Sequence, residues 1–331
     1  MADLYKTALR SEKNSVRFAL DVEIALLVQL VFAFFSYGFR PVLLVLLSVV
    51  SAIFCELIGN AARHQKPTVF DGTALVTGTI IGLLMSPITA YWVPMLASAF
   101  AIVVVKIPFG GVGRNVFNPA AAGVALATQC FSKRVLTYPD VTLAGTLPLG
   151  EIPKDIVTRL SPAAELADGA VTNFTFSDAL WGEIPGAIGT TALLLLAAAA
   201  VFLFMRRTAS PLITLPYLAA CAVFTLCFPR SAETNVLYNI TLELCSGHLL
   251  FAGIFMFTDP VTAPRFGGAR VVYGALSGLL VMLMRYFGRF EEGAVFAVLI
   301  MNAFASPLDR GCWYLARFWR KRRAVKRGET V

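Results

Sequence analysis

Charge, histidine and paired cysteines are all scarce in this chain. Charged residues make up 15% of the 331, well below the ~25% of a soluble domain, which excludes an ordinary water-soluble fold. The two histidines, His64 and His248, and six scattered cysteines (Cys55, Cys130, Cys221, Cys227, Cys245 and Cys312) include no C-x-x-C pair. That argues against zinc, or an iron–sulfur centre, held by this chain alone. Residues 1–20 lack the apolar core and cleavage site of a signal peptide and read as a short amphipathic cytoplasmic lead.

What is abundant is apolar: 57% of the residues are hydrophobic. The runs near 22–37, 41–59, 72–87, 91–106, 118–131, 186–205, 211–228, 246–258, 270–288 and 291–307 predict an all-α polytopic membrane protein of about ten transmembrane helices. Runs 118–131 and 246–258 fall short of the ~20 residues that cross a bilayer, so they predict short or broken helices. The +8 formal charge does not call for nucleic acid, because the basic residues sit at the ends and between apolar runs. With both termini inside, 20 of the 28 Lys and Arg are cytoplasmic and eight (Arg40, Lys133, Arg134, Lys154, Arg159, Arg230, Arg285, Arg289) lie outside, as the positive-inside rule expects. The chain then divides into the lead 1–20, a first membrane repeat 21–131, an outer segment 132–185, a second membrane repeat 186–310 and a basic cytoplasmic tail 311–331. The tail, with Trp, Tyr and Arg from Trp313 to Arg327, suits an interfacial anchor on anionic membrane lipid.

The stretch from Phe70 to Gly123 organises the rest. It opens FDGTALVTGTIIGLLMSP and closes KIPFGGVGRNVFNPAAAG, alternating apolar runs with Gly, Pro and Asn clusters that break helices. Irregular backbone at membrane depth is tolerated only where protein buries it or a cavity adjoins it, so such breaks mark a ligand site. MSPITA at 85–90 echoes TDPVTA at 258–263; Phe109-Gly110 echoes Phe287-Gly288; FNPAAAG from Phe117 weakly echoes MNAFASP from Met301. With opposite span directions these echoes predict two inverted five-helix repeats and a site between them.

Several residues carry two readings. Asp71 before an apolar helix reads best as a cap. Gly110, Gly111, Gly113, Arg114 and Asn115 resemble a phosphate-cradling turn without its usual strand–helix setting, and Asn118-Pro119 opens a short helix suited to an anionic or flavin-type ligand. Asp259, beside Pro260, either lies on an ion path or ends a helix; Glu56 is the second ion-path candidate. Glu243, Cys245 and His248 read as an interfacial cluster.

FDGTALVTG, FGG-x-G-R-N-x-FNPA from Phe109, WGEIPGAIG from Trp181, FTDPVTAP from Phe257 and EEG-x-x-FA-x-LIMNA from Glu291 together resemble the RnfD/NqrB family of ion-translocating oxidoreductase subunits, over roughly 20–310. The resemblance implies a non-catalytic subunit of an Rnf-type complex in the bacterial inner membrane, which passes electrons between ferredoxin and NAD⁺ and moves Na⁺ or H⁺. It implies partners of the G type (flavin-bearing), the A and E types (membrane) and the B and C types (iron–sulfur). It also implies FMN esterified to a threonine, with riboflavin or a second non-covalent flavin as a further cofactor. The matching positions are Thr175, as acceptor, and Thr172. Here Phe174 stands where the family has a small residue, Asp168 is one position further upstream, and Thr190 stands where many relatives have Glu. A stand-alone channel or secondary transporter without redox role is the alternative that inverted repeats and broken helices leave open.

Overall fold

The computed structural model describes residues 2–64, 68–111, 113–140, 147–152, 156–159, 161–167, 174–230, 236–288 and 293–326. Helices α1 (Ala2–Tyr37) and α2 (Arg40–Ala62) form a hairpin that turns at Gly38, whose φ of 80° is left-handed. Helix α3 (Thr73–Leu83) ends at a break, and α4 (Trp92–Phe100) continues as a π turn over Ala101–Lys106. Helix α5 (Pro119–Cys130) and the turn α6 (Ser132–Val135) lead into a minimal antiparallel pair, β1 (Tyr138–Pro139) with β2 (Thr158–Arg159). Two short helices follow, α7 (Pro162–Ala167) and α8 (Phe176–Trp181). The second half holds α9 (Leu193–Met205), α10 (Pro211–Cys227), α11 (Val236–Cys245), α12 (Leu249–Phe251, continued by a π turn over Ala252–Met256), α13 (Gly267–Phe287) and α14 (Ala294–Lys326).

Among the described residues four stretches are long and apolar enough to cross a membrane: Ser15–Tyr37 in α1, Arg40–Ala62, Gly267–Phe287, and Ala294–Trp319 in α14. Tyr238–Cys245 and Leu249–Met256 make a further, broken span bent by 69°. Helix α3, at 11 residues, covers only ~16 Å of a ~30 Å hydrocarbon layer. Large apolar side chains such as Phe35, Phe54, Val201, Leu215 and Val223 point outward, as they do when lipid is the solvent. The chain is a mostly helical, polytopic membrane protein.

Two helix pairs approach to backbone contact through paired glycines. A Cβ on Gly78 or Gly82 of α3 would lie 2.6 or 2.7 Å from Val49 or Val45 Cα of α2. On α13, a Cβ on Gly274 or Gly278 would meet the Ile213 or Tyr217 carbonyl of α10. Both pairs have G-x-x-x-G spacing, the device that lets helices pack closely where no hydrophobic force drives them together.

The breaks are stitched by buried arginines. Arg40 donates to the carbonyls of Pro87, Thr89, Pro148 and Gly150 beyond the end of α3. Arg285 donates to the Glu243 and Ser246 carbonyls at the α11–α12 bend and to Glu243 Oε2 at 3.0 Å. Glu243, Cys245 and His248, read from the sequence as an interfacial cluster, are buried in the protein. The bend folds them inward, and Arg285 supplies the charge that makes burying Glu243 tolerable.

Candidate functional site

A cavity of about 390 Å³ lies where α1, α3, α5 and α12 meet. Phe18 and Val22 of α1, Ile80 of α3 and Phe255 of α12 give it apolar walls. Its polar groups are Ser15, Thr73, Thr77, Lys106, Asn115, Asn118 and Asp259. The two π turns feed it: one ends on Lys106, and the other carries Phe255 and precedes Asp259 by three residues. A π turn holds one more residue than an α turn and often re-aims side chains at functional sites.

Lys106 is a buried cation that the sequence reading passed over. Its Nζ donates to Glu56 Oε1 at 2.7 Å and to Thr73 Oγ1 at 2.6 Å, which uses two of the three donors of an ammonium. Thr68 Oγ1 also donates to Glu56 Oε1. Glu56, read as an ion-path acid, is thus the buried partner of Lys106. The visible clue was an isolated Lys at the end of an apolar run, just before Pro108. Asp71 Oδ1 accepts from the Thr73 N–H and hydroxyl, so it caps α3 from two residues before the helix start, one before the N-cap position held by Gly72.

The glycine turn divides. Gly113 and Asn115 line the cavity, while Gly110, Gly111 and Arg114 lie outside its wall. Gly110 and Gly111 have left-handed φ of 103° and 84°, but their N–H groups close the turn onto Ile107 and Lys106 carbonyls and cradle nothing else. Asn118 caps α5 by accepting from the Ala121 N–H, and its own N–H goes to Asn302 Oδ1 at 2.8 Å. Asn302 in turn donates to the Tyr273 hydroxyl, so the echoing asparagines of the two halves touch. Asp259 accepts from the Val261 N–H and the Thr262 hydroxyl, closing its own turn, while it also borders the cavity.

Thr175 opens α8, a helix that leads to Gly182 at the other end of α1. Gly182, just after α8, packs on Phe32, and the Tyr37 carbonyl accepts from Leu147. Thr175 is exposed and N-caps α8: its Oγ1 accepts from the Asp178 N–H, and the Asp178 carboxylate accepts from the Thr175 N–H at 2.7 Å. That hydrogen bond holds the Asp178 carboxyl below its ordinary range. Phe174 is buried, its carbonyl accepts from the Tyr238 hydroxyl, and Arg159 stacks over its ring. Thr172 and Asp168 lie outside the described residues. The Thr190 hydroxyl donates to the Ala187 carbonyl, and the strand of chain around it is pinned to α3 by Ile188 and Gly189 N–H bonds to Met85 and Leu83.

The sequence profile of the NQR2, RnfD, RnfE family matches residues 5–313. The chain belongs to that family. The D-type subunit of the ion-translocating oxidoreductase complex of Stutzerimonas stutzeri is 30% identical over 89% of this chain and 90% of its own length. Its counterpart in the Na⁺-translocating ferredoxin:NAD⁺ oxidoreductase complex of Acetobacterium woodii is 28% identical over 91% and 89%. The corresponding protein of a proton-translocating complex from Clostridium ljungdahlii is 24% identical over 91% of each. The family thus spans both coupling ions.

Proposed function

We propose that the chain is the D-type membrane subunit of an ion-translocating ferredoxin:NAD⁺ oxidoreductase complex in the bacterial inner membrane, with both termini cytoplasmic. It is not catalytic alone. The observation that carries the reading is the family match over residues 5–313 together with a cavity that joins family motifs from both halves of the chain. The cavity's flat apolar walls and its Lys106, Asn115 and Asn118 donors suit a non-covalent flavin, and Asp259 at its edge suits an ion path.

Two inverted five-helix repeats are supported by matched features. Each half has a G-x-x-x-G helix pair and a buried cation next to its Phe-Gly echo, Lys106 with Glu56 and Arg285 with Glu243. The A, B, C, E and G types of subunit are the proposed partners.

Thr175 fits the role of FMN acceptor. Thr175 is exposed, and its Oγ1 accepts from the Asp178 N–H, a role an ester oxygen keeps, while its 2.7 Å bond with Ser177 Oγ can run in either direction. Phe174, whose bulk departs from the family, is packed inward and leaves the acceptor open. An FMN held there supplies a one- or two-electron carrier. The test is co-expression with a flavin transferase and its partners, followed by in-gel fluorescence after denaturation. Fluorescent wild type and dark Thr175→Ala support the assignment, and loss only in Thr172→Ala moves the acceptor. A dark wild type that purifies without other subunits would instead favour the stand-alone transporter.

A further inference from the structure

Glu23 is a carboxylate in the membrane span of α1, about 12 Å along the helix from Ser15 at the cavity. It is 9% exposed and faces α3, where Thr79 Oγ1 donates to its Oε1 at 2.9 Å. Its Oε2 is buried and has no hydrogen-bond partner among the described residues. Its neighbours Val22 in α1 and Ile80 in α3 line the cavity, so the carboxyl sits one residue behind that wall on both helices.

The charged groups on elements packed against α1 are committed elsewhere. Arg206, after α9, bonds Asp21 at 2.8 Å; Arg40 of α2 serves backbone carbonyls; Glu56 of α2 pairs with Lys106; Asp71 bonds Thr73; and Arg207 is exposed. No described Lys, Arg or His forms an ion pair with Glu23. An unpaired carboxylate at this depth is costly, whereas a neutral acid is not, and intramembrane acids without a counter-ion mark proton or ion pathways. A hard cation takes ~6 oxygen ligands, and no group of three or more acids, histidines or cysteines suited to a metal ion occurs among the described residues.

We propose that Glu23 is a proton-binding site inside the membrane, carried as the neutral acid with its proton on Oε2 and reached through the cavity between α1 and α3. The site depends neither on a flavin in that cavity nor on Asp259. The test uses membranes containing the full chain with its partner subunits, treated with dicyclohexylcarbodiimide. This membrane-soluble reagent adds a carboxylic acid across one N=C bond, and the adduct rearranges to a stable N-acylurea that peptide mass spectrometry locates. The expected result is an adduct on Glu23, absent from the exposed Glu183, that declines as pH rises and is unchanged by added Na⁺. It should vanish in Glu23→Gln and persist in Thr79→Val. No adduct on wild-type Glu23 overturns the proposal, and suppression by Na⁺ at constant pH overturns it in favour of a cation site. Both decisive readings come from the wild type, so a variant that fails to assemble does not blunt the test.

Discussion

Lys106 and Glu56 stand 2.7 Å apart with each side chain 2% exposed, and a buried pair of this kind is most sensitive to losing one member. Lys106→Met should cost about 3–5 kcal/mol by stranding Glu56, whereas Lys106→Met with Glu56→Met should recover most of that; thermal unfolding in detergent compares them. Asp259→Asn should leave the complex assembled and electron flow intact while ion uptake into vesicles is lost, if the carboxylate serves the ion path; lost assembly would assign it to closing its turn. At Thr175 the pH matters. The Asp178 carboxyl is lowered from 3.8, so its capping bond contributes fully above that value and is lost as pH falls through the lower folded one. Amide exchange at α8, corrected for intrinsic rates, should rise in that acid window and become pH-independent in Asp178→Asn. Asp259, Gly113, Asn115 and Asn118 were legible as candidates because Pro, Gly and Asn in apolar runs announce breaks. Lys106 was not, because a lone Lys between apolar runs reads as a topology charge until its partner 50 residues earlier is seen beside it.

The helices divide by whether length or contact defines them. Spans at 22–37, 41–59, 270–288 and 291–307 were visible as unbroken apolar runs, and each overlaps a helix long and apolar enough to cross a membrane. The bend between α11 and α12 adjoins run 246–258, which the sequence marked as a short or broken helix, but no local pattern showed that Glu243 would be buried. Burial there depends on Arg285, 42 residues later, which no local pattern connects to Glu243. Close packing yields a sharper forecast. Gly78→Leu and Gly278→Leu each drive side-chain atoms into a neighbouring backbone, so each should lower stability by about 1–3 kcal/mol or more and reduce recovered complex. Gly150→Leu, where a Cβ meets nothing, is the neutral control.

For the whole molecule, the 20-to-8 division of Lys and Arg predicts where reporters work. A fluorescent protein fused after Arg327 should mature in the cytoplasm, and a phosphatase inserted at Gly150 should be active outside; the reverse pattern would invert the assignment. The short α3, α5 and α9 also explain why run-counting gives ten apolar segments while four unbroken helices meet the length of a bilayer. Half-length pieces count in the sequence but are too short to cross a bilayer alone.

One helix also sets a limit on wiring. Between Val22, the cavity residue of α1 nearest that end, and Phe32 beside Gly182 lie ten residue steps of α1, about 15 Å of rise. A carrier in the cavity would therefore be separated from the segment around Gly182 by the length of one helix stretch, and α1 would set the spacing of any wiring between them.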